Sequence, residues 1–196
     1  ADAGLRTAKL FQYEPQSLDA LEAAGVTDVA VGVPNDEINR LATRAGYAER
    51  MVRAWGRHSH LINLVVVGNE ALAKWWGGEF ADSLEAAVDR VHAALQGLGF
   101  QARATTVLQF SIVANSFPPA AAELSHSVEF LKKGLLAKLQ ARGAPLLLNL
   151  YPYLAWRAAG GNVSLLYARG DPSAAPVYVD RSVHYSSMYD AMVDAA

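Results

Sequence analysis

Short apolar runs alternate with longer stretches whose apolar residues recur every three or four positions, and the alternation repeats along the chain. Lys9-Leu10-Phe11-Gln12-Tyr13 reads as a first strand. Helical spacing follows at Leu18, Leu21 and Ala24, with Gly25 placed to close it. Residues 29–34 form a second strand ended by Pro34. Asn35 or Asp36 then offers a cap for a helix with Ile38, Leu41, Ala42 and Ala45 on its apolar face. Tyr47, Met51, Val52 and Trp55 mark one side of another helix. Residues 62–67 are apolar almost throughout, as in a parallel strand buried on both faces. Leu84, Val88, Val91 and Leu95 define the next helix face, and residues 102–107 a fourth strand broken by polar positions. Val128, Leu131, Leu135 and Leu139 lie at the spacing of one further helix face, residues 146–150 form a fifth strand, and residues 188–196 open a last helix.

Repeats of strand and helix require a parallel sheet with right-handed crossovers. Two α/β architectures satisfy them: an open doubly wound sheet, or part of a (β/α)₈ barrel. A full barrel takes about 250 residues and eight strands, and only five strands stand out here. Periodicity leaves both architectures open.

Composition narrows the function classes. Over 196 residues, 52% are hydrophobic and 18% charged, which excludes a disordered chain or a coiled coil. Seventeen Lys and Arg against nineteen Asp and Glu give a net charge of −2 with no basic run, so nucleic acid and anionic membranes are not expected partners. Without cysteine there is no disulfide, thiolate zinc site or cysteine nucleophile. No apolar stretch reaches membrane-spanning length, and residues 1–10 carry no apolar core of a signal peptide. No glycine-rich phosphate loop, dinucleotide fingerprint or Gly-x-Ser-x-Gly elbow occurs, and no cofactor is expected.

In either architecture the chemistry belongs at the carboxyl ends of the strands. The second strand offers Gly32-Val33-Pro34-Asn35 there, and the fourth Thr105 and Thr106. The third ends Val67-Gly68-Asn69-Glu70. A carboxyl group leaving a buried valine run is partly desolvated and suited to donate a proton, and Asn69 beside it can bond a sugar hydroxyl. The same carboxylate would equally serve the N-terminus of the next helix. After the fifth strand, Tyr151, Tyr153 and Trp156 present flat rings with polar tips, suited to stacking on pyranose rings or to packing at a rim. Trp75 and Trp76 have the same two readings. His58 and His60 would hold a metal only with a third ligand, so they read as solvated loop histidines and no metal is expected. Asn162-Val163-Ser164 is an N-glycosylation sequon.

Seven segments occur in order: Lys9-Leu10-Phe11 with Pro15, Val31-Gly32-Val33-Pro34-Asn35, Val67-Gly68-Asn69-Glu70, Asn115-Ser116-Phe117-Pro118-Pro119, Asn149-Leu150-Tyr151-Pro152-Tyr153, Asn162-Val163-Ser164-Leu165 and Tyr189-Asp190-Ala191-Met192-Val193-Asp194-Ala195. Together they resemble the plant β-1,3-glucanases of glycoside hydrolase family 17. The resemblance implies a (β/α)₈ barrel and a retaining glycosidase, secreted to the extracellular space or cell wall, that cuts internal β-1,3 bonds in glucans. It matches Glu70 to the general acid/base, Asn69 to a neighbour near the cleaved bond, and Asn149, Tyr151 and Tyr153 to the glucan cleft. Asn162 is the glycosylation candidate.

The family's nucleophile lies in a Glu-Ser-Gly-Trp-like motif that this sequence does not contain. The resemblance therefore makes residues 1–196 a single incomplete barrel domain, with strands two to six of eight and strands one, seven and eight absent. Gln12 stands where the family has Asp, and Val107-Leu108-Gln109 diverges. Glu14 and Asp180 are the substitute carboxylates to consider. Interior side chains at Leu10, Val31, Val65 and Leu147 would lack an opposite wall, and open sheet edges would favour self-association. Little hydrolysis is expected from this chain. The alternatives are a non-catalytic β-glucan-binding protein and a degenerate family member.

Overall fold

A computed structural model describes residues 4–174 and 178–196. The chain divides into two compact units, Ala1–Leu108 with Leu131–Leu147, and Gln109–Phe130 with Leu148–Ala196. Its strands are β1 (Thr7–Leu10), β2 (Asp28–Val33), β3 (Ile62–Asn69), β4 (Arg103–Gln109), β5 (Val113–Ala114), β6 (Glu123–Leu124), β7 (Leu147–Asn149), β8 (Tyr178–Asp180) and β9 (Val183–Tyr185). Its α-helices are α1 (Pro15–Ala23), α2 (Ile38–Thr43), α3 (Tyr47–Ala54), α4 (Leu84–Gly97), α5 (Ala137–Ala141), α6 (Pro152–Ala158), α7 (Leu165–Arg169) and α8 (Met188–Asp194). Of residues 1–10, the first three lie outside the described residues.

The main sheet has the order β1-β2-β3-β4-β7, with β1 parallel to β2, β2 to β3 and β3 to β4. A doubly wound sheet reverses its strand order at a switch point. This one runs sequentially, as barrel strands do. Right-handed crossovers between sequential neighbours put successive helices on one face, and α2 and α3 both pack against α4.

Strand parity decides which residues that helical face buries. Val29, Val31, Val65 and Val67 are fully buried, as are Leu84, Val88, Val91 and Leu95 of α4. Val31 and Val65 therefore do not point into an open interior, contrary to expectation. Their alternates Ala30 and Leu64 do, and with Lys9, Asp28, Asn63 and Arg103 they line a cavity of about 380 Å³. A one-residue error in parity exchanges the two faces of every strand.

The apolar positions 131, 135 and 139 are buried as their spacing requires. The segment is nevertheless irregular: a 3₁₀ stretch at His126–Leu131 passes through a π turn at Lys132–Leu136 into α5. Glu85 of α4 is the neighbour that crowds this turn. A Cβ on Gly134 would sit 2.1 Å from its Oε2. Lys138 then pairs with Glu85 at 2.6 Å and Asp89 at 2.5 Å, and Arg142 with Asp89 at 2.6 Å, fastening α5 to α4.

The second unit contains two antiparallel ribbons, β5–β6 and β8–β9, with α6, α7 and α8. Phe117, Tyr178 and Tyr185 form a ring ladder with centroid separations of 4.5 and 6.2 Å. The Tyr185 hydroxyl donates to Asp194 of α8, and the backbone N–H of Ala120 donates to Asp180 at 2.7 Å. No helix among the described residues is long and apolar enough to cross a membrane.

Candidate active site

The carboxyl end of β3 is built by its neighbours rather than by its own ladder. Pairing with β4 shifts register between Val66 and Asn69, and the buried Thr106 hydroxyl donates to the Val67 carbonyl at 2.7 Å within that shift. Gly68 turns with φ +74°, where a Cβ would come within 2.8 Å of Ile38 Cδ1 and 3.0 Å of Asn35 Oδ1. Only glycine fits there. Asn35 grips the backbone of Asn69 on both sides of its Cα: its Oδ1 accepts the Asn69 N–H at 2.7 Å and its Nδ2 donates to the Asn69 carbonyl at 3.0 Å. It caps no helix with its side chain. The expected cap is replaced by a clamp, because this amide meets the N–H donor and the carbonyl acceptor of one residue together.

Glu70 follows at φ +52°, a left-handed conformation that costs an L residue roughly 1–2 kcal/mol. Two hydrogen bonds hold it: its N–H donates to the Val107 carbonyl at 2.9 Å, and its carbonyl accepts the Ala73 N–H at 2.9 Å. Non-glycine residues in such positions cluster where side-chain aim matters. Glu70 keeps 8% of its surface exposed. Its charge is felt by Lys9 on the sheet face opposite the helices. Desolvation draws the Lys9 ammonium below its ordinary pKa, and the Glu70 carboxylate opposes that pull. Lys9 also lies 5.0 Å from the centre of the Phe11 ring.

In the second unit, Asn149, Tyr151 and Tyr153 share one strand-to-helix turn. Asn149 ends β7, Tyr151 is the N-cap of α6, and Pro152 occupies the first helical position, which needs no N–H donor. Tyr151 is 50% and Tyr153 62% exposed, so neither ring serves a packed rim. Tyr153 lies against Trp156 at 5.9 Å, and the Trp156 indole N–H donates to the Val163 carbonyl at 3.0 Å. The same unit holds a cavity of about 730 Å³ whose lining includes Phe117, Asn162, Tyr167, Tyr178, Met188 and Met192. None of its lining residues is a carboxylate or histidine.

Several sequence expectations are corrected. His58 is not a solvated loop residue: it is 2% exposed, with Nε2 2.9 Å from Asp19 and Nδ1 3.0 Å from the Tyr13 hydroxyl, while Tyr13 stacks on Trp55 at 5.6 Å. Two polar partners remove the cost of burying its ring nitrogens. His60 is exposed and bonds Glu22 at 2.7 Å, and no metal-holding cluster occurs among the described residues. Thr105 and Thr106 lie within β4 and not at its end. The Thr105 hydroxyl donates to the Pro145 carbonyl. Glu14 accepts from Gln12 at 2.6 Å and Ser17 at 2.8 Å, so its carboxylate is engaged at the start of α1. Asp180 is engaged by Ala120. Asn162 is exposed, and Ser164 of its sequon caps α7 by accepting the Leu166 N–H at 3.2 Å. Lys9 is a site residue that pattern reading passed over, and the clamp role of Asn35 was missed although the residue was noted at its strand end. The position of Asn35 after a strand end was a signal, but a cap was the simpler reading of it.

Known proteins resemble this chain in sequence and in fold. The model of the glycosyl hydrolases family 17 matches residues 3–196. Glucan endo-1,3-beta-glucosidase GII of Hordeum vulgare is 32% identical over 98% of this chain and 56% of its own length. Glucan endo-1,3-beta-glucosidase 3 of Arabidopsis thaliana is 32% identical over 96% of the chain and 38% of its own. The solved structure of CJP38, a beta-1,3-glucanase and allergen of Cryptomeria japonica pollen, superposes with a TM-score of 0.89 at 26% identity, covering 97% of this chain and 60% of that one. The chain thus spans less than two thirds of the length of each of these relatives.

Proposed function

The chain belongs to the glycosyl hydrolases family 17, and from that premise we propose that it is a β-1,3-glucan-recognising domain in which Glu70 is the proton donor. A retaining glycosidase needs one carboxyl to protonate the leaving oxygen and a second, about 5–5.5 Å away, to attack the anomeric carbon. Glu70 takes the first role. The observation that carries this assignment is its backbone: a left-handed glutamate, fixed by Val107 and Ala73 and preceded by the Asn35 clamp, at the carboxyl end of a buried parallel strand. Asn69 contacts the sugar beside the reacting bond, and Asn149, Tyr151 and Tyr153 bind glucan. The five main-sheet strands correspond to strands two to six of an eight-stranded barrel, and residues 1–196 form one barrel-derived domain. Weak or absent hydrolysis by this chain belongs to the same proposal: Glu14 is the N-cap residue of α1 and Asp180 ends the short ribbon strand β8, so neither continues a main-sheet strand as Glu70 does. A secreted, extracellular or cell-wall location accords with the exposed Asn162 sequon, the proposed site of an N-linked glycan.

The exposure of Tyr151 and Tyr153 also favours a second reading, glucan binding without chemistry. One pair of measurements separates the two: calorimetric titration with a soluble β-1,3-gluco-oligosaccharide, and a reducing-sugar assay on β-1,3-glucan. Heat with slow product release supports the enzyme reading, and Glu70→Gln should then lower turnover roughly 10²–10⁴-fold. Heat without product leaves a binding protein. No heat at all removes the glucan reading.

A further inference from the structure

Trp75 is 69% exposed, yet the loop that carries it is firmly anchored on both sides. Ala71 and Ala73 before it and Phe80 after it are all buried, at 2% exposure or less. Trp76, its neighbour, is 37% exposed and meets Phe80 edge to face at 5.4 Å. Residues 74–79 are all exposed, but hydrogen bonds fix their backbone: the Gly77 N–H donates to the Lys74 carbonyl and the Glu79 N–H to the Trp76 carbonyl, each at 3.0 Å. A large indole left in water on a fixed turn has lost the burial that makes tryptophan favourable in a fold.

The turn is tied directly to Glu70. The Ala73 N–H donates to the Glu70 carbonyl at 2.9 Å, and the Trp76 N–H donates to the Ala73 carbonyl at 3.0 Å. Each such turn holds its end Cα atoms within about 7 Å, so Glu70 and Trp76 lie within roughly 14 Å of one another along the backbone. The 3₁₀ turn Lys74–Trp76 then ends at Gly77, with φ +59°. A bend at Glu70 thereby also fixes Trp75, on the same loop and in the same unit.

We propose that Trp75 is a stacking platform for a glucose ring of a bound β-1,3-glucan, a few sugar units from the bond that Glu70 addresses. This rests on the glucan reading of the Glu70 site. A β-glucopyranose ring carries its hydroxyls around its equator and presents axial C–H groups on both faces. Such a face lies flat on an indole and keeps its hydroxyls in water, the geometry that aromatic surfaces favour. The platform sets where along the chain an oligosaccharide binds, and so contributes to length preference.

The test is calorimetric titration of the 196-residue chain and of Trp75→Ala and Trp75→Phe with β-1,3-linked gluco-oligosaccharides of increasing length, with Tyr153→Ala in parallel. Trp75→Ala should weaken binding of the longer oligomers roughly tenfold, Trp75→Phe should recover part of the loss, and the shortest oligomers should be indifferent. Indole fluorescence should shift on binding in the wild type and much less in Trp75→Ala. If the wild type binds glucan but Trp75→Ala matches the wild type at every length, the platform is wrong and the glucan reading stands. If the wild type binds no oligomer, the glucan reading itself fails and the platform falls with it. Far-ultraviolet dichroism on each variant confirms that an exposed position was changed without loss of fold.

Discussion

At Glu70, side-chain aim is a backbone property before it is a side-chain one. The left-handed turn, the Gly68 turn two residues earlier and the Asn35 clamp are three local costs that no β-strand requires. Removing the clamp should therefore have two effects. Asn35→Ala deletes two hydrogen bonds to the backbone of Asn69 and leaves its N–H and carbonyl partly buried without those partners. A loss of about 1–3 kcal/mol is expected in urea unfolding. Weaker oligosaccharide binding should accompany it, more than a remote variant of equal instability shows. A stability loss with unchanged binding would make the clamp purely structural. Asn35 also shows how far a sequence can be read at this scale. The asparagine after Pro34 was read as a helix cap at a strand end, but its partner is 34 positions away and depends on strand register. His58 was misread for the same reason: Asp19 and Tyr13 come from the first strand-to-helix segment, which no local pattern connects to it.

Among the elements, those with strong periodicity were legible and those held by specific contacts were not. The valine run of β3 and the apolar face of α4 were both foreseen, because burial of a stripe or run leaves a periodic trace. The two short ribbons and helices α6 and α7 were not anticipated, although Pro152 and Ser164 are good starting residues for those helices. Elements this short are fixed by their surroundings more than by propensity. The tie between α4 and α5 belongs to this group. Burial pulls the Asp89 carboxyl upward, but hydrogen bonds from Lys138 and Arg142 outweigh it and hold the carboxyl below its ordinary pKa. A carboxylate lowered on folding stabilises the fold above its unfolded pKa, and that contribution is lost as pH falls through the folded value. Asp89→Asn should accordingly cost about 1 kcal/mol at neutral pH and flatten the acid limb of a stability-versus-pH curve. If the two curves stay parallel into acid, Asp89 does not carry the linkage.

On the scale of the whole molecule, the sheet has two edges, β1 and β7, and its edges determine what the chain does at high concentration. An edge strand offers unpaired backbone groups to a second chain. On β1 the alternate positions Thr7 and Lys9 are exposed, and Leu5 and Phe11 flank the strand at 68% exposure each. Apolar flanks invite strand addition, and a lysine at the centre of the edge opposes it, since pairing would desolvate or crowd that charge. The balance should produce weak, reversible association in sedimentation velocity, growing with protein concentration. Lys9→Val should strengthen it at equal concentration by removing the charge and raising strand propensity. Lys9 is also the residue that feels the Glu70 carboxylate, so the same variant should alter glucan binding even in dilute, monomeric samples. If the wild type and Lys9→Val both sediment as concentration-independent monomers, β1 is not an association edge and the role of Lys9 is confined to the Glu70 site.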